Sequence, residues 1–167
     1  MNRIVIFGAT GNTGLCALNS AVNKGIVLST IFHLTSLISI ANFHLGPTTV
    51  LSNGMKNIID AMKLHNVEIV SVCLSAFLFY KPEAVPNIFK DVNADHQRMF
   101  DLLKESKLKW IAILPPHFTN VQRSKYVVKH DESPGRTISI HDLGDFLIES
   151  LQQPEHYQKV CGIANIA

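Results

Sequence analysis

The stretch "IVIFGATGNTGLCAL", residues 4–18, decides the fold. Residues 4–7 form a continuous apolar run, which is typical of a parallel strand covered on both faces, so a central strand is predicted there. Gly8, Gly11 and Gly14 follow at G-x-x-G-x-x-G spacing. A strand, a glycine-rich turn and a helix in this order predict a loop that binds the pyrophosphate of a dinucleotide.

Each glycine has a physical reason to be there. The first permits a tight turn, the second lets backbone approach the phosphates, and the third lets helix and strand pack closely. Thr10, Asn12 and Thr13 add side-chain donors beside a helix N-terminus, where an anion is favoured. The alternative is a tight strand-to-helix turn that binds no ligand.

Helical spacing continues beyond the loop and recurs later in the chain. Leu15, Leu18 and Val22 predict a sheet-facing stripe on a helix that ends at Gly25. Further helices are predicted from Pro47, with Pro47 in the first turn, and over residues 91–106 and 142–151. Apolar runs at residues 69–74 and 110–114 predict strands.

Composition limits the classes of protein to consider. The 167 residues suit one domain, residues 1–167, and 17% charged with 47% hydrophobic residues is ordinary for a globular chain. The net charge of +2 decides little, and the scattered basic residues Arg123, Lys125 and Lys129 are typical of a solvated loop, so no nucleic-acid partner is expected.

The cysteines indicate a reducing compartment. Cys16, Cys73 and Cys161 are odd in number and far apart, without a C-x-x-C pair, so neither a disulfide framework nor a metal site is predicted. A cytoplasmic location fits this pattern best.

Residues 26–45 have the length of a membrane span, and no Asp, Glu, Lys or Arg lies between Lys24 and Lys56. Eight of these twenty residues are nevertheless Ser, Thr, His or Asn. Buried strands or a core helix are therefore favoured over a membrane span, which stays a third alternative.

Four stretches resemble one family. They are "IVIFGATGNTG" near the start, "GPTTVLSNGMKNIIDAMKLHNVEIVSVCLSAFLFY" at 46–80, "ADHQRMFDLLKESKLKWIAILPPHF" at 94–118 and "RTISIHDLGDFLIESL" at 136–151. Together they resemble the flavin reductase/biliverdin-IXβ reductase family, which are small, monomeric, atypical short-chain dehydrogenases. The resemblance implies a Rossmann-like domain that carries hydride from NADPH, or NADH in its place, to a flavin or an open-chain tetrapyrrole.

The resemblance also implies site residues. The cofactor phosphates would contact Gly8, Thr10, Gly11, Asn12, Thr13 and Gly14. Ser75, in "LSAF", would lie near the nicotinamide and the substrate. In the stretch Pro115, Pro116 and His117, Pro116 would lie near the cofactor. His117 and His141 would lie at the opening of the substrate site. Thus Ser75, His117 and His141 are the catalytic candidates.

The residues themselves leave alternatives open at these positions. Ser75 and His117 follow the carboxyl ends of predicted parallel strands, where ligands of open α/β sheets bind. Ser75 could equally cap a turn, His117 could be a surface loop residue, and His141 could simply start a helix.

The proton donor of the main short-chain dehydrogenases is missing. No Tyr-x-x-x-Lys pair exists in this chain, the nearest being Tyr126 with Lys129. Flavin reduction does not need that acid, because hydride goes to a ring nitrogen and a proton can come from solvent.

The chain is shorter than the fold requires between Gly25 and Gly46. Residues 26–32 and 37–43 each resemble a strand, but a parallel crossover needs about a dozen residues, so at most one can occupy its family position. The predicted fold is α/β, a Rossmann-like doubly wound, mostly parallel sheet that lacks one strand-helix crossover.

The shortening also removes the residue that normally binds the adenosine ribose, about 20 positions beyond the loop. Only Ser29, Thr30 or His33 could replace it, and Asn42, His44 and Gly46 are the stand-ins on the nicotinamide side. An inactive relic, such as a splice form or pseudoenzyme with weak nucleotide binding, is therefore the alternative function. Exposure of residues 26–45 would favour self-association over the family's monomer.

Overall fold

The computed structural model describes residues 3–31 and 46–166, without the side chains of residues 27–31. Its helices are α1 (Asn12–Asn23), α2 (Val50–Leu64), α3 (Lys90–Ser106) and α4 (Ile140–Glu149). Its strands are β1 (Arg3–Phe7), β2 (Val27–Ile31), β3 (Ile69–Cys73), β4 (Lys109–Leu114), β5 (His117–Thr119), β6 (Tyr126–His130), β7 (Thr137–Ser139) and β8 (Lys159–Asn165).

The strands pair mostly in parallel. β3, β4 and β8 run parallel in a four-stranded sheet of order β3-β4-β8-β6, with β6 antiparallel at its edge. β1 pairs with β2 and β5 with β7, both in parallel. The predicted α/β fold with a mostly parallel, Rossmann-like sheet is confirmed.

In the part of the chain that the structure describes, strand β1 pairs with β2 in a ladder separate from the four-stranded sheet. Residues 27–31 form a strand parallel to β1, as expected of the second strand, whereas the predicted strand at 37–43 lies outside the described residues. Within residues 3–31 and 46–166, the β1–β2 ladder and the four-stranded sheet share no strand pair. The two are connected instead through α1 and α4, because Ile148 of α4 joins Ile4 and Ile6 of β1 in one apolar cluster.

The prediction that β1 is covered on both faces is wrong. Ile4 and Ile6 are buried against α1, but the side chains that alternate with them, Val5 and Phe7, are 52% and 43% exposed. A strand presents successive side chains to opposite faces, so an apolar run cannot by itself tell one covered face from two.

The predicted apolar stripe of α1 is confirmed at Leu18, which packs on the cluster of Ile4 and Ile6, and is wrong at Leu15 and Val22. Leu15 and Val22 are 48% and 57% exposed, and the buried residues of the helix are the small Cys16, Ala17, Ser20 and Ala21. Small side chains face inward because α1 lies close both to β1 and to α4.

The other helices bury most of the residues that periodicity predicts, although Val50, at the start of α2, is exposed. Met55, Ile59 and Met62 of α2 and Met99 and Leu103 of α3 pack against β3 and β4. Pro47 is not in the first turn, since α2 begins at Val50. On the opposite face, Leu143 and Phe146 of α4 pack with Ile111, Ile113, Cys161 and Ile163.

Among the residues that the structure describes, no helix is long and apolar enough to cross a membrane.

Candidate functional site

The glycine-rich loop joins β1 to α1 in a closely packed turn. Gly8 has φ +75°, which a residue with a side chain rarely adopts, and its carbonyl accepts a 3.0 Å hydrogen bond from the Gly11 N–H. A Cβ on Gly14 would lie 2.1 Å from the Gly8 oxygen. The third glycine therefore has the close-approach role that the spacing predicts.

The N-terminus of α1 is open. Gly11 is the N-cap and provides no side chain to accept from the first helical N–H groups, and the first turn carries no acidic residue. Thr10, Gly11 and Asn12 are exposed, and Thr13 is half-buried. Unpaired N–H groups at a helix N-terminus attract an anion, so this end of the loop fits a phosphate group.

Ser75 lies directly beyond β3, beside the end of β4. Leu74 donates its backbone N–H to the carbonyl of Ile113 over 2.8 Å, which holds the two strand ends together. The half-buried Ser75 accepts a 3.2 Å hydrogen bond at Oγ from the Phe77 N–H. Ser75 therefore caps the short 3₁₀ turn Ala76–Phe79, and its hydroxyl hydrogen is free to donate to a ligand.

His117 follows the carboxyl end of β4 through two prolines. Pro115 is buried, Pro116 half-buried and His117 exposed. The His117 backbone pairs with Thr137 in the β5–β7 ladder, and β7 is followed directly by α4. His117 is thus exposed at the start of β5, in a different element from α4, which carries His141.

His141 lies in the first turn of α4 and faces α1. Its Nδ1 is 3.8 Å from Sγ of Cys16, and its backbone N–H donates to Ser139 Oγ over 3.2 Å. His141 is half-buried. The structure therefore brings it to the helix that begins at the glycine-rich loop, while His117 lies at the far end of the β5–β7 ladder.

Two other residues of the "HDLG" stretch are structural. Asp142 is 2% exposed and accepts hydrogen bonds from the Ser124 N–H (3.1 Å) and from Nδ2 of Asn165 (2.7 Å). A Cβ on Gly144 would lie 2.6 Å from the backbone carbon of Cys16. The stretch thus joins α4 to the end of β8 and allows α1 to approach closely.

Charges at the α1–α4 interface are paired. Nε of Arg123 lies 2.6 Å from a carboxylate oxygen of Asp145. Burial alone would raise the pKa of Asp145, but the hydrogen bonds and charge of Arg123 oppose this and the pKa lies below its usual range. Burial raises the pKa of the Cys16 thiol, so Cys16 is a neutral neighbour of His141.

Sequence reasoning missed a second polar region, at the start of α3. Asp95 is fully buried and accepts hydrogen bonds from the Leu51 N–H (2.9 Å) and Ser52 Oγ (2.5 Å), so it caps α2 from a neighbouring helix. Next to it, Nδ1 of His96 is buried without a hydrogen-bond partner in the described part of the chain. Burial lowers the pKa of His96 to about 4.

An open groove of about 200 Å³ lies between α3 and the β4–β8 strands. It is lined by Leu78, Phe79, Gln97, Phe100, Leu114, Asp131 and Val160. None of the predicted site residues lines it, so the groove does not by itself locate a substrate.

Known structures share this architecture. A proposed NAD-dependent epimerase/dehydratase from Bacillus halodurans has a TM-score of 0.81 at 17% identity, covering 99% of this chain and 95% of that chain. An oxidoreductase from Lactococcus lactis has a TM-score of 0.76 at 16% identity, with 98% and 91% covered. A short-chain dehydrogenase/reductase from Veillonella parvula, solved in complex with NADP, has a TM-score of 0.72 at 11% identity, with 98% and 94% covered. At these identities the likeness shows the fold.

The family is shown by a separate comparison. Residues 27–154, well over half of the chain, match the model of a family described as NAD(P)H-binding. The match begins after the glycine-rich loop, so the loop geometry and the family match are independent observations. The chain therefore belongs to the NAD(P)H-binding family.

Proposed function

We propose that this protein binds NADPH and transfers hydride from it to a flavin or a biliverdin-type tetrapyrrole. The observation that best supports nucleotide binding is the open N-terminus of α1, which follows Gly8 and Gly11. Membership of the NAD(P)H-binding family supports it. The choice of acceptor rests on the resemblance of the sequence motifs alone.

The residues of the loop have different proposed roles in binding the nucleotide. Backbone N–H groups at residues 12–14 hold the pyrophosphate, and the hydroxyls of Thr10 and Thr13 add donors. Ser75, at the shared edge of β3 and β4, positions the nicotinamide or the substrate through its hydroxyl hydrogen, and Pro116 lines the cofactor side.

The two histidines line the mouth of the site. Bound NADPH supplies the hydride. His117 is exposed to solvent and His141 lies beside α1, and their assignment to the acceptor rests on the resemblance of the sequence motifs. The proton comes from solvent, since the chain has no Tyr-x-x-x-Lys pair.

A relic with weak nucleotide binding is the second candidate, and one observation favours it. Val5 and Phe7 of β1 are 52% and 43% exposed, so among the described residues the strand that carries the loop is well covered on one face only. A loop on a weakly supported strand would hold its N–H groups less rigidly and bind an anion less tightly.

Calorimetric titration with NADPH and with NADH, followed by flavin-dependent oxidation of the nucleotide that binds, separates the two candidates. Micromolar binding of NADPH with turnover supports the reductase. Absence of binding to folded protein contradicts it and leaves the relic.

The variant Gly11→Ala tests the loop itself. A Cβ on Gly11 would lie 3.5 Å from the Gly8 oxygen, an ordinary contact, and Gly11 has an extended conformation that alanine tolerates. The methyl group would nevertheless crowd the approach to the N–H groups, and losing one charge-assisted hydrogen bond weakens binding by about tenfold or more. Gly54→Ala, on an exposed face of α2 with open space around it, is the matched control. Equal NADPH affinity in both variants would contradict phosphate binding at Gly11.

A further inference from the structure

Strands β6 and β8 bring together three side chains that no sequence motif connects. The antiparallel ladder pairs His130 with Cys161 directly. His156 ends the short turn Pro154–His156 that leads into β8. Nε2 of His130 lies 2.9 Å from Nδ1 of His156, and Sγ of Cys161 lies 3.8 Å from that same nitrogen. All three atoms lie within 4.8 Å of one another.

These separations approach those of a tetrahedral metal site. With metal–nitrogen bonds of about 2.0–2.1 Å and a metal–sulfur bond of about 2.3 Å, two nitrogens are about 3.3 Å apart and a nitrogen and a sulfur about 3.6 Å apart. The His156–Cys161 separation of 3.8 Å needs almost no change, and the two imidazoles, at 2.9 Å, need to move apart by a few tenths of an ångström. The atoms of His130 and Cys161, which lie within 4.8 Å of each other, need to approach by up to about 1 Å, and the exposed His130 side chain is the one that can move.

Packing holds Cys161 and His156 in place, whereas the third member of the cluster, His130, faces solvent. Cys161 is fully buried in the apolar cluster under α4. The His156 ring meets Phe146 edge to face at 5.2 Å, which fixes its orientation. His130 is exposed. A fourth ligand position on the His130 side therefore faces water.

One acidic residue adjoins the cluster, since Asp131 follows His130 directly in the chain. Burial, with a contribution from the charge of Asp131, raises the pKa of the Cys161 thiol to about 12. Without a cation the sulfur therefore keeps its proton. A coordinated metal ion displaces that proton to solvent and compensates the thiolate charge.

We propose that His130, His156 and Cys161 form a binding site for a thiophilic divalent metal ion, Zn²⁺, with a water molecule as the fourth ligand. Imidazole and thiolate are the ligands that Zn²⁺ prefers. The site lies on β6 and near the amino end of β8, whereas the proposed nucleotide residues follow the carboxyl ends of β1, β3 and β4. The bound ion joins β6, β8 and the preceding turn, and its binding does not depend on the proposed reductase activity.

Titration of chelator-treated full-length protein with Co²⁺, and with Zn²⁺ against a chromophoric chelator, tests the proposal. We expect one ion per chain and a thiolate-to-cobalt charge-transfer absorption in the near ultraviolet. Cys161→Ala removes this absorption. His130→Ala, an exposed change that leaves the core intact, weakens Zn²⁺ binding by more than about tenfold, because loss of even an outer-shell partner of a metal costs about 10–100-fold.

Cys16→Ala is the matched control. Cys16 Sγ also lies 3.8 Å from a histidine nitrogen, Nδ1 of His141, but among the described residues no third ligand joins that pair. The Co²⁺ absorption should persist in this variant. Absence of the absorption in the unmodified protein, its survival in Cys161→Ala, or unchanged Zn²⁺ affinity in His130→Ala would overturn the proposal.

Discussion

Two buried carboxylates, Asp95 and Asp142, act as local connectors. Each accepts a hydrogen bond from a backbone N–H far away in the sequence, Leu51 for Asp95 and Ser124 for Asp142. Hydrogen bonds to an ionised acceptor are stronger than neutral ones, and a buried carboxylate without them would be costly. These residues therefore hold the segments around the candidate site together and take no part in its proposed chemistry.

His96 makes stability depend on pH. Burial lowers the pKa of His96 to about 4, against 6.5 in the unfolded chain. Between these values the unfolded state binds the proton and the folded state does not, so the free energy of unfolding falls as pH is lowered from 6.5 to about 4. At 1.36 kcal/mol per pKa unit, the loss is on the order of 3 kcal/mol.

Urea unfolding of His96→Gln across this pH range checks the prediction. The pH dependence should become shallower in the variant, since its side chain does not titrate. His65→Gln, at an exposed position just after α2, is the control and should keep the original slope. The same slope in both variants would contradict the assignment to His96.

At the scale of elements, the contact between α1 and α4 has the largest structural role. Ala17 and Ala21 of α1 are buried in a cluster with Ile148 of α4, and Lys24 and Glu149 form an ion pair of 2.8 Å at the exposed end of the contact. Small residues on α1 and Gly144 on α4 allow the helix backbones to approach. This contact places His141 beside the helix of the glycine-rich loop.

Gly144→Ala tests the closeness of this contact. The new Cβ would lie 2.6 Å from backbone atoms of Cys16, which cannot rotate away, so we expect a loss of about 1–3 kcal/mol or more in the free energy of unfolding. Gly54→Ala, in the interior of α2 with nothing within 4 Å of the new methyl, should instead gain about 1 kcal/mol. Chemical denaturation of both variants gives the comparison, and equal stabilities would show that α1 and α4 can separate at little cost.

At the scale of the whole molecule, β1, which carries the glycine-rich loop, is less well buried and paired than the strands of the four-stranded sheet. β4 is paired on both sides, and Ile111, Ala112 and Ile113 within it are fully buried. β1 exposes Val5 and Phe7, and within the described residues it pairs with β2 alone. Two-stranded pairs are marginally stable unless they pack on something else, here α1.

Hydrogen exchange should show this difference. In nucleotide-free protein we expect amides of β1 and α1 to exchange faster than those of β4 and β8. Segments with few buried contacts open locally at a lower cost in free energy, which exposes their amides to exchange. NADPH at about 100 times its dissociation constant should slow exchange in β1 and α1, because it stabilises the binding-competent state by about 2.7 kcal/mol.

Mass-spectrometric exchange with and without NADPH measures both effects. Uniform exchange across the chain would contradict the difference in support. Unchanged exchange of β1 and α1 on saturation with NADPH would contradict nucleotide binding at the loop.

Local sequence patterns predict the four helices and strands β1 to β4, but not strands β5 to β8. The glycine spacing predicts the turn between β1 and α1, and the periodicity of Met55, Ile59 and Met62 predicts the buried face of α2, because both patterns depend on neighbours within a few residues. The parallel sheet follows from alternating strands and helices. The prediction that one crossover is missing rests on chain length and falls outside the described residues.

Only the tertiary structure decided which faces are covered and which distant side chains meet. Leu15 and Val22 have the spacing of an apolar stripe, yet close packing of α1 selects Ala17 and Ala21 for the interior. The cluster of His130, His156 and Cys161 arises from a ladder register and a turn, which no local pattern encodes. Such contacts depend on how separate segments pack in space, and that information is distributed over the whole chain.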